Sequence, residues 1–217
     1  VEARTKESGR FRGVESFRHV AKAYFMKVLL LSGDESSPVS RIVQEGGDEV
    51  LEAKDSIAVD FIMTNNIDFV VSHGYRHIIR PPILAALPDR VVNLHISLLP
   101  WNKGADPNLW SFLEDTPKGV TIHAVDAGID TGDILAQKEI QFRDEGSTLA
   151  TTYQALREEM ITLFEETWPA IKAGTCPRRP QASGGSVHRS KDKEPYAPLL
   201  VHQWATPVSL LRGKAKR

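Results

Sequence analysis

Cysteine is almost absent: Cys176 is the single one in 217 residues. No internal disulfide can form, so a reducing, cytoplasmic setting is expected. An excess of charge of one sign is missing too, with 27 basic residues against 28 acidic ones. That balance argues against a globally basic nucleic-acid binder. No apolar run approaches the roughly 18 residues of a membrane span, so no membrane partner is expected. The first strand candidate ends in Ser32-Gly33-Asp34 without Gly-x-Gly-x-x-Gly, which removes the dinucleotide fingerprint. Internal repeats are absent. What is present is ordinary, 41% hydrophobic and 25% charged residues, which excludes disorder across the whole chain. The length suits one domain with appendages.

Residues 1–25 carry six basic residues against three glutamates and no apolar core. Met26 directly before an apolar strand reads as a native start, so 1–25 is expected to be an extension, non-native or disordered. No signal-peptide pattern is present. From Lys27 onward, strand-like and helix-like segments alternate. Val28–Ser32, Glu49–Ala53, 67–72 and 91–94 read as strands. Between them fall a helix over 38–45, capped by Ser37-Pro38 and ended by Gly46-Gly47, and a second helix capped by Asp55. A short helix follows over 81–87. This rhythm predicts an α/β fold, a Rossmann-like, open and mostly parallel sheet with helices on its faces. Further on, 106–113 reads as a helix, 119–125 and 133–142 as strands, and Ser147 as the cap of a long helix over 148–172. Apolar residues from Leu149 to Ile171 recur there at steps of three and four, a core stripe that could equally serve a homodimer. The expected division is therefore a catalytic domain over 26–173, then a loop and docking tail over 174–217, with 196–212 packing back on the body.

Chemistry concentrates in three stretches: Asn93-Leu94-His95-Ile96-Ser97-Leu98-Leu99-Pro100, Gly119-Val120-Thr121-Ile122-His123, and Asp126-Ala127-Gly128-Ile129-Asp130-Thr131-Gly132. Asn93 and His95 alternate by two, so they project from one face near the carboxyl end of a strand, where open α/β sheets bind ligands. Asp130 sits in a glycine-flanked turn that can fold against them. Amide, imidazole and carboxylate together can run an acyl transfer without a covalent nucleophile. Taken singly, each has a plainer reading: a turn cap, a satisfied core histidine, a turn former. His73 and His77 stand at i, i+4, but no cysteine or acidic ligand accompanies them, so no metal is expected.

The pattern Asn-x-His-x-Ser-x-Leu-Pro followed by Asp-x-Gly-x-Asp-Thr-Gly resembles the formyltransferases that use N10-formyltetrahydrofolate. The resemblance covers most of 67–173. It implies Asn93, His95 and Asp130 as the catalytic trio, with Asn93 and a charged His95 facing the oxyanion and Asp130 taking the amine proton. A nearby Asp130 is expected to raise the His95 pKa. It also implies a folate cleft lined by Tyr75, Arg76, His77 and Ile78 and by Val125, Asp126 and Gly128.

Members of that family differ in the amine they formylate. Residues 174–217 look too few for the carboxyl-terminal barrel of methionyl-tRNA formyltransferases. Gly33-Asp34-Glu35 places acidic groups where a glycinamide ribonucleotide enzyme would hold phosphate. The stretches from Trp101 to Ser111 and from Gly185 to Asp192, and the closing Trp204-Ala205-Thr206-Pro207, are similar to sugar N-formyltransferases. That implies a small-molecule acceptor, a nucleotide-linked 4-amino-dideoxy sugar, met by Trp101, Lys103, Asn108, His188, Arg189 and Lys191. The alternatives are a glycinamide ribonucleotide-type or other small-amine enzyme, and a folate binder without turnover. Only residues 33–66 separate the first strand from Ile67, so the amino-terminal half is abridged.

Overall fold

The run Lys-Val-Leu-Leu-Leu-Ser is apolar on both of its faces, and a strand of that kind must be covered on both sides. In the computed structural model, which describes residues 25–33 and 37–215, that run is β1 (Lys27–Ser32), and Val28 to Leu31 are fully buried. The extension expected over 1–25 lies, except for Phe25, outside the described residues. The chain continues through α1 (Pro38–Glu45), β2 (Glu49–Ala53), α2 (Val59–Thr64), β3 (Phe69–His73), α3 (Pro81–Ala86) and β4 (Val91–His95). A two-residue strand β5 (Lys103–Gly104) and α4 (Pro107–Leu113) come next, then β6 (Gly119–Ala124), β7 (Ile134–Glu139) and α5 (Leu149–Lys172). β8 (Val187–His188) and three short 3-10 segments complete it.

The main sheet has the order β2-β1-β3-β4-β6-β7. The first four strands are parallel, whereas β4–β6 and β6–β7 pair antiparallel. Period-two alternation splits its side chains into two layers. Val28, Leu30, Phe69, Val71, Val92 and Leu94 pack under α1 and α5. Leu29, Leu31, Val70 and Val91 pack on the other side with Ile62 of α2 and Ile83 of α3. Asn93 and His95 share the parity of Val91, so they belong to the α2–α3 side. The antiparallel register sets His123 directly opposite Asn93, and Thr121 opposite His95.

Two helix starts differ from the sequence expectation. α2 begins at Val59 behind Ala58, not behind Asp55; the 55–58 stretch is not helical, and the Asp55 carbonyl accepts the Tyr75 hydroxyl at 2.7 Å. For α5 the cap is Thr148 rather than Ser147. The Thr148 hydroxyl accepts the Thr151 amide, while the Ser147 carbonyl is engaged by the Val208 amide. A third difference concerns 174–195, expected as plain loop. Val187–His188 forms a parallel pair with Lys103–Gly104, a strand pair too short to carry any alternation. The expected return of the closing segment is seen: Val208 and Leu211 are fully buried against Trp110, Phe112 and Leu113 of α4.

Candidate active site

The loop from Val125 to Asp133 leaves the end of β6 and folds back over the α2–α3 side of the sheet. Gly132 permits this, because a Cβ there would stand 1.9 Å from the Ala124 carbonyl oxygen. Gln181 fastens the loop from outside, donating its amide to the carbonyls of Asp130 (2.7 Å) and Gly132 (2.9 Å). Asp130, in the left-handed region at φ 51°, is thereby delivered onto β4. Its Oδ1 accepts the Asn93 amide at 3.1 Å, and its Oδ2 accepts the Gly104 main-chain amide at 2.8 Å. His95 Nδ1 lies 3.6 Å from Oδ2, and His123 Nε2 lies 3.3 Å from Oδ1. The trio expected from the sequence is thus brought together.

Hydrogen bonding settles where the ring protons lie. A carbonyl only accepts, so His95 Nε2–H donates to the Asn102 carbonyl (3.1 Å), leaving Nδ1 turned toward Asp130. His123 donates Nδ1–H to the Ala124 carbonyl (2.8 Å), and its Nε2 sits 3.3 Å from the Asn93 amide nitrogen. The electrostatics overturn one expectation. Burial lowers the His95 pKa below the ordinary 6.5 by more than the Asp130 charge raises it, and His123 pushes in the same direction as burial. The free imidazole is therefore neutral near pH 7, not held charged. Burial pushes the Asp130 carboxyl up, but the neighbouring His95 and His123 rings and the Gly104 amide outweigh it. They hold it well below the usual carboxylate range.

His123 is a site residue that sequence reasoning passed over. It stood in a flagged stretch, yet only the β4–β6 register places it against Asn93. The residues expected around a folate fall on the same side of the sheet as the trio. Tyr75 and Val125 pack on the apolar layer that includes Val91, while Arg76, His77, Asp126 and Gly128 are exposed. Ile78 is 80% exposed and Ile129 51% exposed, two aliphatic side chains left to solvent on the two loops flanking this side. Asp126 is partly occupied, accepting the Gly128 amide and the Thr131 hydroxyl.

On the acceptor side the residues separate. Lys103 and His188 lie on the paired strands β5 and β8, next to Gly104. His188 stacks on Trp110 with ring centroids 3.7 Å apart and planes at 5°. Trp101 is half-buried, and Arg189 and Lys191 are exposed. Asn108 is not brought to the site: it is buried, donating to the Leu149 carbonyl (3.0 Å) and accepting the Thr152 hydroxyl (3.2 Å), so its amide joins α4 to α5. Among the described residues no group of three or more His, Cys, Asp or Glu could hold a metal, and no helix is long and apolar enough to cross a membrane. Two cavities of about 430 and 470 Å³ open at the opposite end of the parallel strands, around Lys27 and Asp68 and around Arg90 and Cys176; neither touches the trio.

Residues 26–167 match the formyl transferase family. Among curated relatives, a methionyl-tRNA formyltransferase of Agathobacter rectalis is 28% identical over 186 residues, 82% of this chain and 58% of the relative. One from Desulfotalea psychrophila is 35% identical over 152 residues, 64% of this chain and 44% of the relative. The chain spans about half the length of these curated relatives. Among solved structures, the formyltransferase PseJ from Anoxybacillus kamchatkensis, in complex with UDP-4,6-dideoxy-4-formamido-L-AltNAc and tetrahydrofolate, is 49% identical with a TM-score of 0.83. The match covers 88% of this chain and 100% of that one. A 4-N formyltransferase from Francisella tularensis shares the fold at 19% identity and a TM-score of 0.69, over 77% of each chain. With the family match extending over well more than half of its length, the chain belongs to the formyl transferase family.

Proposed function

We propose that this protein transfers a formyl group from N10-formyltetrahydrofolate to the amine of a nucleotide-linked 4-amino-dideoxy sugar, with 26–173 as its catalytic domain. The observation that carries the reaction is the seating of Asp130 against Asn93, His95 and His123 on one side of the sheet. For the acceptor, the support is the 49% identity to PseJ over the whole of that chain.

The chain's own groups divide the work. When bound, the folate supplies the formyl carbon and leaves as tetrahydrofolate; Tyr75, Ile78, Val125 and the 126–128 backbone would hold its ring. Asn93 offers its amide hydrogens to the developing oxyanion, and must release Asp130 or His123 to do so. His95 Nδ1 and Asp130 Oδ2, 3.6 Å apart, form a seat for one proton. They take it as the amine attacks and return it to the departing nitrogen, so no net proton is gained or lost. A neutral imidazole of lowered pKa suits both halves of that exchange. On the acceptor side, Trp101 and Lys103, with His188, Arg189 and Lys191, would meet a nucleotide and its diphosphate.

The test is a transfer assay with N10-formyltetrahydrofolate and a panel of UDP- and dTDP-linked amino-sugars, glycinamide ribonucleotide and methionyl-tRNA. Gain of one formyl group, read by mass, is expected on a 4-amino-4,6-dideoxy sugar nucleotide. Transfer confined to glycinamide ribonucleotide or methionyl-tRNA would replace the acceptor, and folate binding with no transfer to any amine would sink the enzyme reading.

A further inference from the structure

Behind the trio lies a second polar cluster that the transfer chemistry does not use. Asn102 is wholly buried and in the left-handed region at φ 57°. Its side chain is fully engaged: Nδ2 donates to Glu114 Oε2 at 3.0 Å and contacts Ser186 Oγ at 3.4 Å, and Oδ1 accepts the Thr116 hydroxyl at 2.9 Å. Ser186 Oγ accepts the Asn102 main-chain amide at 3.0 Å and donates to Glu114 Oε2 at 2.6 Å. The other carboxylate oxygen, Oε1, lies 3.4 Å from His188 Nε2, whose ring is clamped on Trp110. One carboxylate therefore gathers three separate segments: the 101–104 turn, the end of α4 and the late loop.

Two things make this cluster more than packing. Glu114 is the C-cap of α4, where a negative charge opposes the helix dipole, so the position runs against local preference. One of its clients, Asn102, faces the trio directly. The Asn102 carbonyl is the acceptor that fixes the His95 ring, and two residues on, the Gly104 amide is the donor that holds Asp130 Oδ2. Those two contacts decide which His95 nitrogen carries the proton and where the carboxylate sits beside the other.

We propose that Glu114 is a positioning residue for the trio, holding Asn102 and Ser186 so that one short stretch of main chain orients both His95 and Asp130. The consequence for turnover rests on the formyl-transfer reading above; the orientation of the ring does not. Glutamine keeps a carbonyl oxygen able to accept from both Ser186 and Asn102, whereas alanine removes it.

The experiment compares wild type, Glu114→Gln and Glu114→Ala by steady-state transfer to a UDP-linked 4-amino-4,6-dideoxy sugar and by nitrogen NMR of the His95 imidazole. Glu114→Ala should lower kcat about 10- to 100-fold with KM for the folate little changed, since misplacement rather than lost binding is at issue. Its His95 signals should lose the single Nε2–H tautomer that wild type and Glu114→Gln display. Should Glu114→Ala fail to fold, Ser186→Ala decides, because it removes one client and leaves the carboxylate in place; the same tautomer loss, smaller in extent, is expected. Wild-type kcat together with an unchanged His95 tautomer in the folded variant would overturn the proposal. If wild type turns over no amine, the function reading fails, and the imidazole signals alone still decide the role of Glu114.

Discussion

Asn93 is the amide of the trio and touches two other groups of the site. Its amide reaches Asp130 and His123 in the free protein, and in the mechanism proposed above it is the donor that meets the oxyanion. Removing one such donor costs roughly 10²–10³ in turnover. Asn93→Ala should therefore drop kcat by that order while leaving folate affinity, measured by fluorescence titration, nearly intact. Full activity in the alanine variant would take Asn93 out of the chemistry. The pH profile addresses His95. Burial places its pKa below the ordinary 6.5, and in the mechanism proposed above the neutral ring is the working form. Because a lowered pKa keeps the ring neutral to lower pH, kcat/KM should hold its plateau through neutral pH and fall only as pH drops through the lowered value, below 6.5. An acid limb lying above 6.5 would mean that Asp130 prevails over burial. His95→Gln should remove this limb along with most of the turnover.

At the scale of elements, the two-residue pair β5–β8 matters far beyond its size. It presents the Gly104 amide to Asp130, and it does so at a separation only glycine allows. At Gly104 φ is +84°, and a Cβ would stand 2.3 Å from the His188 carbonyl oxygen, a backbone atom that cannot step aside alone. Gly104→Ala should part the two strands, free Asp130 Oδ2 and reduce kcat by about 10-fold or more. Circular dichroism should stay near wild type, because the six-stranded sheet does not depend on this pair. Unaltered turnover in that variant would show that the amide is dispensable. These same elements mark where the sequence became hard to read. β1, β3 and β4 were legible because buried strands are apolar runs, and α1 because Ser37-Pro38 and Gly46 punctuate it. β5 and β8 have two residues each and lie more than eighty positions apart, so no periodicity could reveal them. Asn93 and His95 were legible as neighbours from their alternation at a strand end, whereas Asp130 was joined to them through the family resemblance. His123 needed a register and Glu114 a tertiary neighbour, neither of which a linear motif contains.

At the scale of the whole molecule, the described residues set a six-stranded sheet between two apolar layers, beside a third cluster that the last described residues complete. Leu149 donates its amide to the Thr206 carbonyl, and Val208 donates to Ser147, so the closing segment is stitched to the start of α5. The amides of Gly213 and Ala215 reach the carbonyls of Phe112 and Leu113, stitching it to α4 as well. α4 ends at Glu114, so the same helix joins this closing cluster to the polar cluster behind the trio. Leu211 is fully buried there with Val208, Trp110 and Phe112. Leu211→Ala removes buried methyls from a packed site and should cost about 2–5 kcal/mol, since such a site relaxes only in part. Urea unfolding followed by circular dichroism measures that loss. The kinetic companion is specific to this architecture. If α4 is held mainly by the closing segment, the variant at a temperature where it stays folded should lose kcat in parallel with the Glu114 variants, and its His95 tautomer should loosen in the same way. A destabilised Leu211→Ala protein with wild-type kcat and an ordered imidazole would instead mean that the polar cluster holds its geometry independently of the closing segment.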